Sequence, residues 1–209
     1  MFSNISIGLK VFLTYLIIGS GIAWYLVEET PKELSKEIDK AAEDVMIDTA
    51  NLLAQSVSSD IKDEKIELAR IAKTIDQYLK RSLDAKIYDV DKQKTSLEVY
   101  ITDKKGIVLY DSSNRYVGED FSQDNDVYLT LQGKYGARAS AYDRANTEPS
   151  PDQKAFYVAA PIYYQNEIFG VLTVVKKAEV LREFFVAQEE QIKYYAVMIF
   201  IIAMIFGAG

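Results

Sequence analysis

Arg138 is the residue whose surroundings in the chain point most directly to chemistry. It sits in Gly-Ala-Arg-Ala-Ser, and strand alternation puts it on the same side as Tyr100 and Tyr157. A guanidinium offers a planar fork of donors, and tyrosines offer apolar walls with polar tips. Together they suit a small carboxylate. The same arginine could instead pair with Asp126 or Asp120 and fix a loop. Glu119, Asp120, Asp124 and Asp126 make that loop acidic. An EF-hand starting at Asp120 would lack its glycine and its closing glutamate. A solvated loop is expected, with Asp124 or Asp126 capping the helix that follows; a divalent-cation bridge to anionic lipid is the other reading. The chain has no Cys and no His. Disulfides and thiolate metal sites are excluded, and the commonest general base is missing. The sequence holds no nucleophile–base pair, metal cluster or phosphate loop, so no catalytic role, metal or cofactor is expected of it. A net charge of −7 argues against nucleic acid as a partner.

The elements that must position these residues lie between 97 and 177. The runs LEVYITDKKGIVLYDS, ARASAY, KAFYVAAPIYY and EIFGVLTVVKK read as five strands, with turns at 103–106 and 165–167. A loop and a short helix, from 114 to about 136, join the second strand to the third. One strand parity holds Val99, Ile101, Ala137, Ala139, Phe156, Val158, Ala160, Leu172 and Val174, as expected under a packed helix. The other holds Glu98, Tyr100, Thr102, Arg138, Ser140, Tyr142, Tyr157 and Thr173, a polar and aromatic face. Residues 143–153, with Pro149 and Pro151, read as a hairpin loop that carries no site.

A long helix is expected from Pro31. Leu34, Ile38, Ala41 and Val45 form a heptad-like seam that continues through Leu52, Leu53 and Val57. Asp60 with Asp63 reads as a new N-cap, ahead of a second periodic stretch from Ile61 to Leu79. One face of the helix packs on the sheet, and the 34–45 seam pairs with its copy in a homodimer.

Both ends are apolar. Residues 7–27 carry Lys10 as their only charge. About twenty helical residues span a bilayer core of about 30 Å. Lys10 near the start of the run and Glu28-Glu29 after it place the N-terminus in the cytoplasm. At the other end Leu181, Phe184, Phe185 and Ile192 line one side of an exit helix. It runs through Tyr194 and Tyr195 into a second membrane span, truncated near its inner end. The expected divisions are 1–27 (stub and first span), 28–193 (extracytoplasmic domain) and 194–209 (second span). Within the domain, 28–90 is helical, 97–177 is sheet and 178–193 is the exit helix. The fold class is α+β: a long N-terminal helix on a five-stranded antiparallel sheet, flanked by two transmembrane helices.

Several strings carry a resemblance. Asp111-Ser112 ends a strand pair, Val117 to Ser122 reads VGEDFS, and Asn125 to Arg138 reads NDVYLTLQGKYGAR. Tyr157 to Ile162 reads YVAAPI, ahead of Gly170-Val171-Leu172. In order and spacing they resemble the single Cache (PDC, PAS-like) sensor of CreC-type histidine kinases; Ile47 to Ala54 adds IDTANLLA. The resemblance implies a PAS-like sheet with a ligand pocket on the face away from the long helix, roofed by the loop and short helix. It nominates Tyr100, Arg138, Ser140 and Tyr157 from the sheet, with Asp126 and Tyr128 from the roof. It implies a two-span receptor of the bacterial inner membrane, signalling through a kinase to a cytoplasmic response regulator. Its partners would be the bilayer, a second copy and a small, carboxylate-like ligand. Thr173-Val174-Val175 supplies no acid on the closing strand, which weakens an amine ligand. The same module could serve a chemoreceptor or a cyclic-dinucleotide enzyme. A non-signalling anchored protein would show a filled core and no pocket.

Overall fold

The computed structural model describes residues 6–62, 65–87, 90–150 and 153–208. Side chains at 182–188, Phe184 and Phe185 among them, lie outside the described residues, as does Asp63. Internal contacts divide the chain into two units, Met1–Lys40 with Glu183–Gly209 and Ala41–Arg182.

Helix α1 (Ile7–Glu28) opens on Ser6, whose hydroxyl accepts the Leu9 N–H at 3.3 Å. Its apolar side chains point in every direction, with Ile17, Ile18 and Trp24 exposed. Gly19 is buried where a Cβ would stand 2.7 Å from that of Ala203 in α5 (Ala178–Ala208). Helix α2 (Thr30–Ser58) has Pro31 in its first turn, where a missing N–H costs nothing. It ends at a small hairpin of β1 (Ile61–Lys62) and β2 (Lys65–Ile66). Asp60 therefore caps no helix; its buried carboxylate pairs with Arg70 of α3 (Leu68–Lys80). The helical stretch also stops short of 90: β3 (Ala85–Ile87) and β4 (Val90–Lys92) form a second hairpin.

The main sheet has five antiparallel strands: β5 (Leu97–Asp103), β6 (Val108–Asp111), β7 (Gly136–Ala141), β8 (Lys154–Tyr164) and β9 (Glu167–Lys177). Their order is β6-β5-β9-β8-β7. The β8–β9 turn puts Gln165 and Asn166 at φ 50° and 66°, the left-handed pair that matches the twist of a two-residue hairpin. The expected parity holds. Val99, Ile101, Val158, Ala160, Leu172 and Val174 pack with Met46, Ala50, Ala54 and Val57 of α2 and with Ile71 and Ile75 of α3. On the other face Tyr100, Tyr157, Ala159, Val171 and Val175 pack with Phe121 and Val127. Val127 belongs to α4 (Asn125–Leu131), the short roof helix.

Two of the large apolar residues of α2 stay outside both cores: Val45 is 64% exposed and Leu52 is 73% exposed. Among the described residues one helical segment, Ile7–Ser58, contains a stretch long and apolar enough to cross a membrane. The apolar end of α5 is helical to Ala208.

The roof leaves no room for a side chain at Gly136. A Cβ there would overlap the Asp126 carbonyl and the Thr130 hydroxyl. Gly136→Ala should lower the unfolding free energy by about 1–3 kcal/mol, the usual cost of overpacking, read by urea unfolding of the purified chain.

Candidate functional site

The polar face of the sheet and the roof meet around one carboxylate. Asp126, in the first turn of α4, is 0% exposed. Arg138 Nε donates to its Oδ1 at 2.5 Å, and the Tyr100 hydroxyl donates to its Oδ2. Thr173 Oγ1 donates to the same Oδ2 at 3.1 Å. Three strands thus converge on one roof residue: β5 through Tyr100, β7 through Arg138 and β9 through Thr173. A buried carboxylate needs such donors, because an unpaired one is too costly to bury.

Arg138 has further partners. Its Nη1 donates to Ser140, and its Nη2 lies 3.5 Å from Asp124. The guanidinium carbon sits 3.6 Å from the centre of the Tyr157 ring, within cation–π range. Burial pulls the guanidinium pKa down, but Asp126, Tyr100 and Asp124 outweigh it and the net shift is upward. The Tyr100 phenol is pushed well above its usual value by burial first, with the Asp126 charge adding and Arg138 opposing.

A second group adjoins the first. Glu98 accepts the Tyr142 hydroxyl at 2.6 Å and Arg115 Nη2 at 3.3 Å, and Lys177 Nζ stands 3.7 Å away. Asp111 sets the loop that carries Arg115: it accepts the N–H groups of Ser113, Arg115 and Tyr116 at 2.9–3.1 Å. This accounts for the Asp-Ser ending of β6, since Ser112 Oγ in turn accepts the Val99 N–H at 2.9 Å.

Five of the six expected site residues therefore meet: Tyr100, Asp126, Arg138, Ser140 and Tyr157. Tyr128 does not. It lies two positions after Asp126 on a helix, so it points the opposite way and is 46% exposed. Asp120 is exposed and accepts the Ser122 N–H at 2.8 Å, away from Arg138. Asp124 holds the N-cap position of α4 but makes no side-chain cap bond, because Arg138 and Arg144 take its carboxylate. The loop after β7 was expected to carry no site. It delivers Arg144, whose guanidinium lies 4.1 Å from the Phe121 ring centre. Arg115, Arg138 and Arg144 fill the pocket between sheet and roof, leaving about 10 Å³ of free space. That is room for roughly one water molecule.

Over 203 residues the chain is 34% identical to Sensor protein CreC of Escherichia coli (strain K12). The match takes in 97% of this chain and 42% of that protein, so the chain spans less than half of its curated relative. The resemblance to CreC-type sensors is borne out. No protein-family model matches the chain. Among solved structures, it is similar to the sensor domain of the V. cholerae histidine kinase DctB. That match has 15% identity and a TM-score of 0.40, over 85% of this chain and 56% of that one. It is also similar to the ligand-binding domain of the Campylobacter jejuni chemoreceptor Tlp3 in complex with L-valine. Here the identity is 14% and the TM-score 0.49, over 85% and 66% of the two chains.

Two outcomes follow from the geometry. Arg138→Ala strands a carboxylate that keeps Tyr100 and Thr173, so it should cost about 3 kcal/mol, the low end for breaking a buried pair, read by chemical unfolding. The raised Tyr100 pKa has a signed consequence. The unfolded chain loses this proton near pH 10 and the folded chain only above it, so stability holds below about pH 10 and falls above it. Tyr110 and Tyr142 are shifted the same way by burial and a neighbouring carboxylate. Tyr100→Phe should shrink the alkaline loss without abolishing it, as measured by melting temperature from pH 8 to pH 11.

Proposed function

We propose that this chain is the sensing and transmembrane region of a bacterial two-component sensor histidine kinase. The observation that carries the reading is the match to a sensor protein along 97% of the chain, both apolar ends included. In this reading residues 28–193 lie outside the inner membrane, and α1 and the end of α5 cross it. The apolar side chains on all sides of α1 suit a lipid surround. A kinase portion of the whole protein passes the signal to a response regulator. Reporter fusions at Glu28 and Lys193 should both report the outer side of the membrane; a cytoplasmic signal at either would reject the topology.

The receptor works as a parallel homodimer along α2. Val45 and Leu52 stand seven residues apart, both exposed, on a stripe separate from the one packed on the sheet. Signalling then needs a small shift between discrete packings of the two copies. Cysteines at Ile38, Ala41 and Val45 should crosslink in membranes more readily than cysteines at Lys36 or Glu43. Equal yields at all positions would remove the seam.

The ligand is a small carboxylate that Arg138 meets between sheet and roof, with Tyr100 and Tyr157 as walls. One observation favours a second reading, a closed structural clasp: the pocket has room for about one water. Arg138→Lys separates the two. It keeps a charge for Asp126 but loses the fork. Under the ligand reading, carboxylate-induced thermal stabilisation disappears while most of the apo stability remains. Under the clasp reading no carboxylate stabilises either form.

A further inference from the structure

Four carboxylates stand among the three arginines of the pocket, and three of them are committed. Asp126 is 0% exposed and holds Arg138, Tyr100 and Thr173. Asp111 is bound by the N–H groups of its own loop. Glu98 is held by Tyr142, Arg115 and Lys177. Asp124 differs. Among the described residues its side chain meets only guanidinium groups, those of Arg138 and Arg144, and it remains 21% exposed at the edge of the roof.

Asp124 also has somewhere else to go. Its backbone, at φ −76° and ψ 130°, is that of a helix N-cap, yet its side chain caps nothing. In that conformation an aspartate carboxylate reaches the N–H groups of the first helical turn by rotation about its own side chain. The pocket, meanwhile, cannot take even a two-carbon acid without something leaving, since only about 10 Å³ is free.

We propose that Asp124 is a built-in stand-in for the ligand: its carboxylate occupies the place on Arg138 and Arg144 that a ligand carboxylate takes, and binding is an exchange. This rests on the reading that Arg138 meets a carboxylate ligand. The incoming anion replaces Asp124 one for one, so the charge among the arginines is unchanged. The released side chain turns to cap α4 and meets water. Ligand arrival is thereby converted into a change at the N-terminus of the roof helix. The exchange selects anionic groups, because a neutral or cationic ligand cannot take over two guanidinium partners. It also sets the sensitivity, since a site held closed by its own side chain binds more weakly by the fraction of molecules that are open.

The test uses the purified chain of residues 1–209 and acetate as probe, titrated against chloride at constant ionic strength and read by calorimetry and melting. Asp124→Asn keeps the cap-forming shape but loses the competing charge, and it should bind acetate about tenfold more tightly than the unaltered chain. Asp120→Asn removes the same charge from the same loop away from the arginines and should leave the affinity unchanged. An equal rise in both asparagine variants would mean a general field effect and would overturn the exchange. Equal affinity in the unaltered chain and Asp124→Asn, lost in Arg138→Lys, would overturn the exchange while leaving the carboxylate reading intact. Acetate without effect on any of these forms would overturn both.

Discussion

A charged group placed where water cannot reach sets the terms for the rest of the domain. Asp126 is the point at which a short helix is held to three strands, and each of its contacts constrains a separate element. Tyr100 and Thr173 fix β5 and β9 from their centres, while Arg138 fixes β7, an edge strand, by reaching across. A purely apolar roof could slide on the sheet at little cost. A roof pinned by a buried carboxylate cannot, because any displacement strands a charge or its donors. The apolar neighbours Phe121 and Val127 give the contact its area, and the carboxylate gives it a single position. On the opposite face the arrangement is different in kind. Met46, Ala50, Ala54 and Val57 meet the sheet through small and medium apolar side chains, and the polar ties sit beside them, with Ser58 accepting the Tyr163 N–H at 3.1 Å and Tyr110 donating to Asp76 at 2.8 Å.

Much of this was legible in the sequence, for reasons that differ from residue to residue. The two faces of the sheet could be separated because a strand alternates with period two, and β8 and β9 hold that alternation from Ala155 to Ile162 and from Gly170 to Lys177, up to a bulge at Phe169. Arg138 could be singled out because an arginine among alanines is rarely there for packing. Tyr128 was misplaced by treating the roof as one surface, although two residues on a helix point nearly opposite ways. The hairpins at 61–66 and 85–92 were hidden, because strands of two or three residues with lysines in them have no alternation to read. Arg144 was hidden for another reason. It sits in a proline-bearing loop, and only the folded path of that loop brings its long side chain to Phe121 and Asp124. Asp124 has the type and position of a helix cap, and nothing local says that two distant cations outbid the helix for it.

The alternation along β8 and β9 has a consequence for how such a domain can change over generations. Through the paired middle of these strands each residue faces one of two unrelated surfaces, the α2 bed or the underside of the roof. Removing one residue from the middle of β8 would carry Tyr157 toward α2 and Phe156 toward the pocket, exchanging both surfaces at once. Removing two would keep the faces and merely shorten the strand. Single-residue gaps between relatives should therefore be absent from 155–162 and 170–177, where the pairing is unbroken. They should gather in the loop between β7 and β8, where no strand register is at stake. Length variation would then fall on the segment that carries Arg144, so relatives can alter how the pocket is closed without altering the sheet that forms its floor.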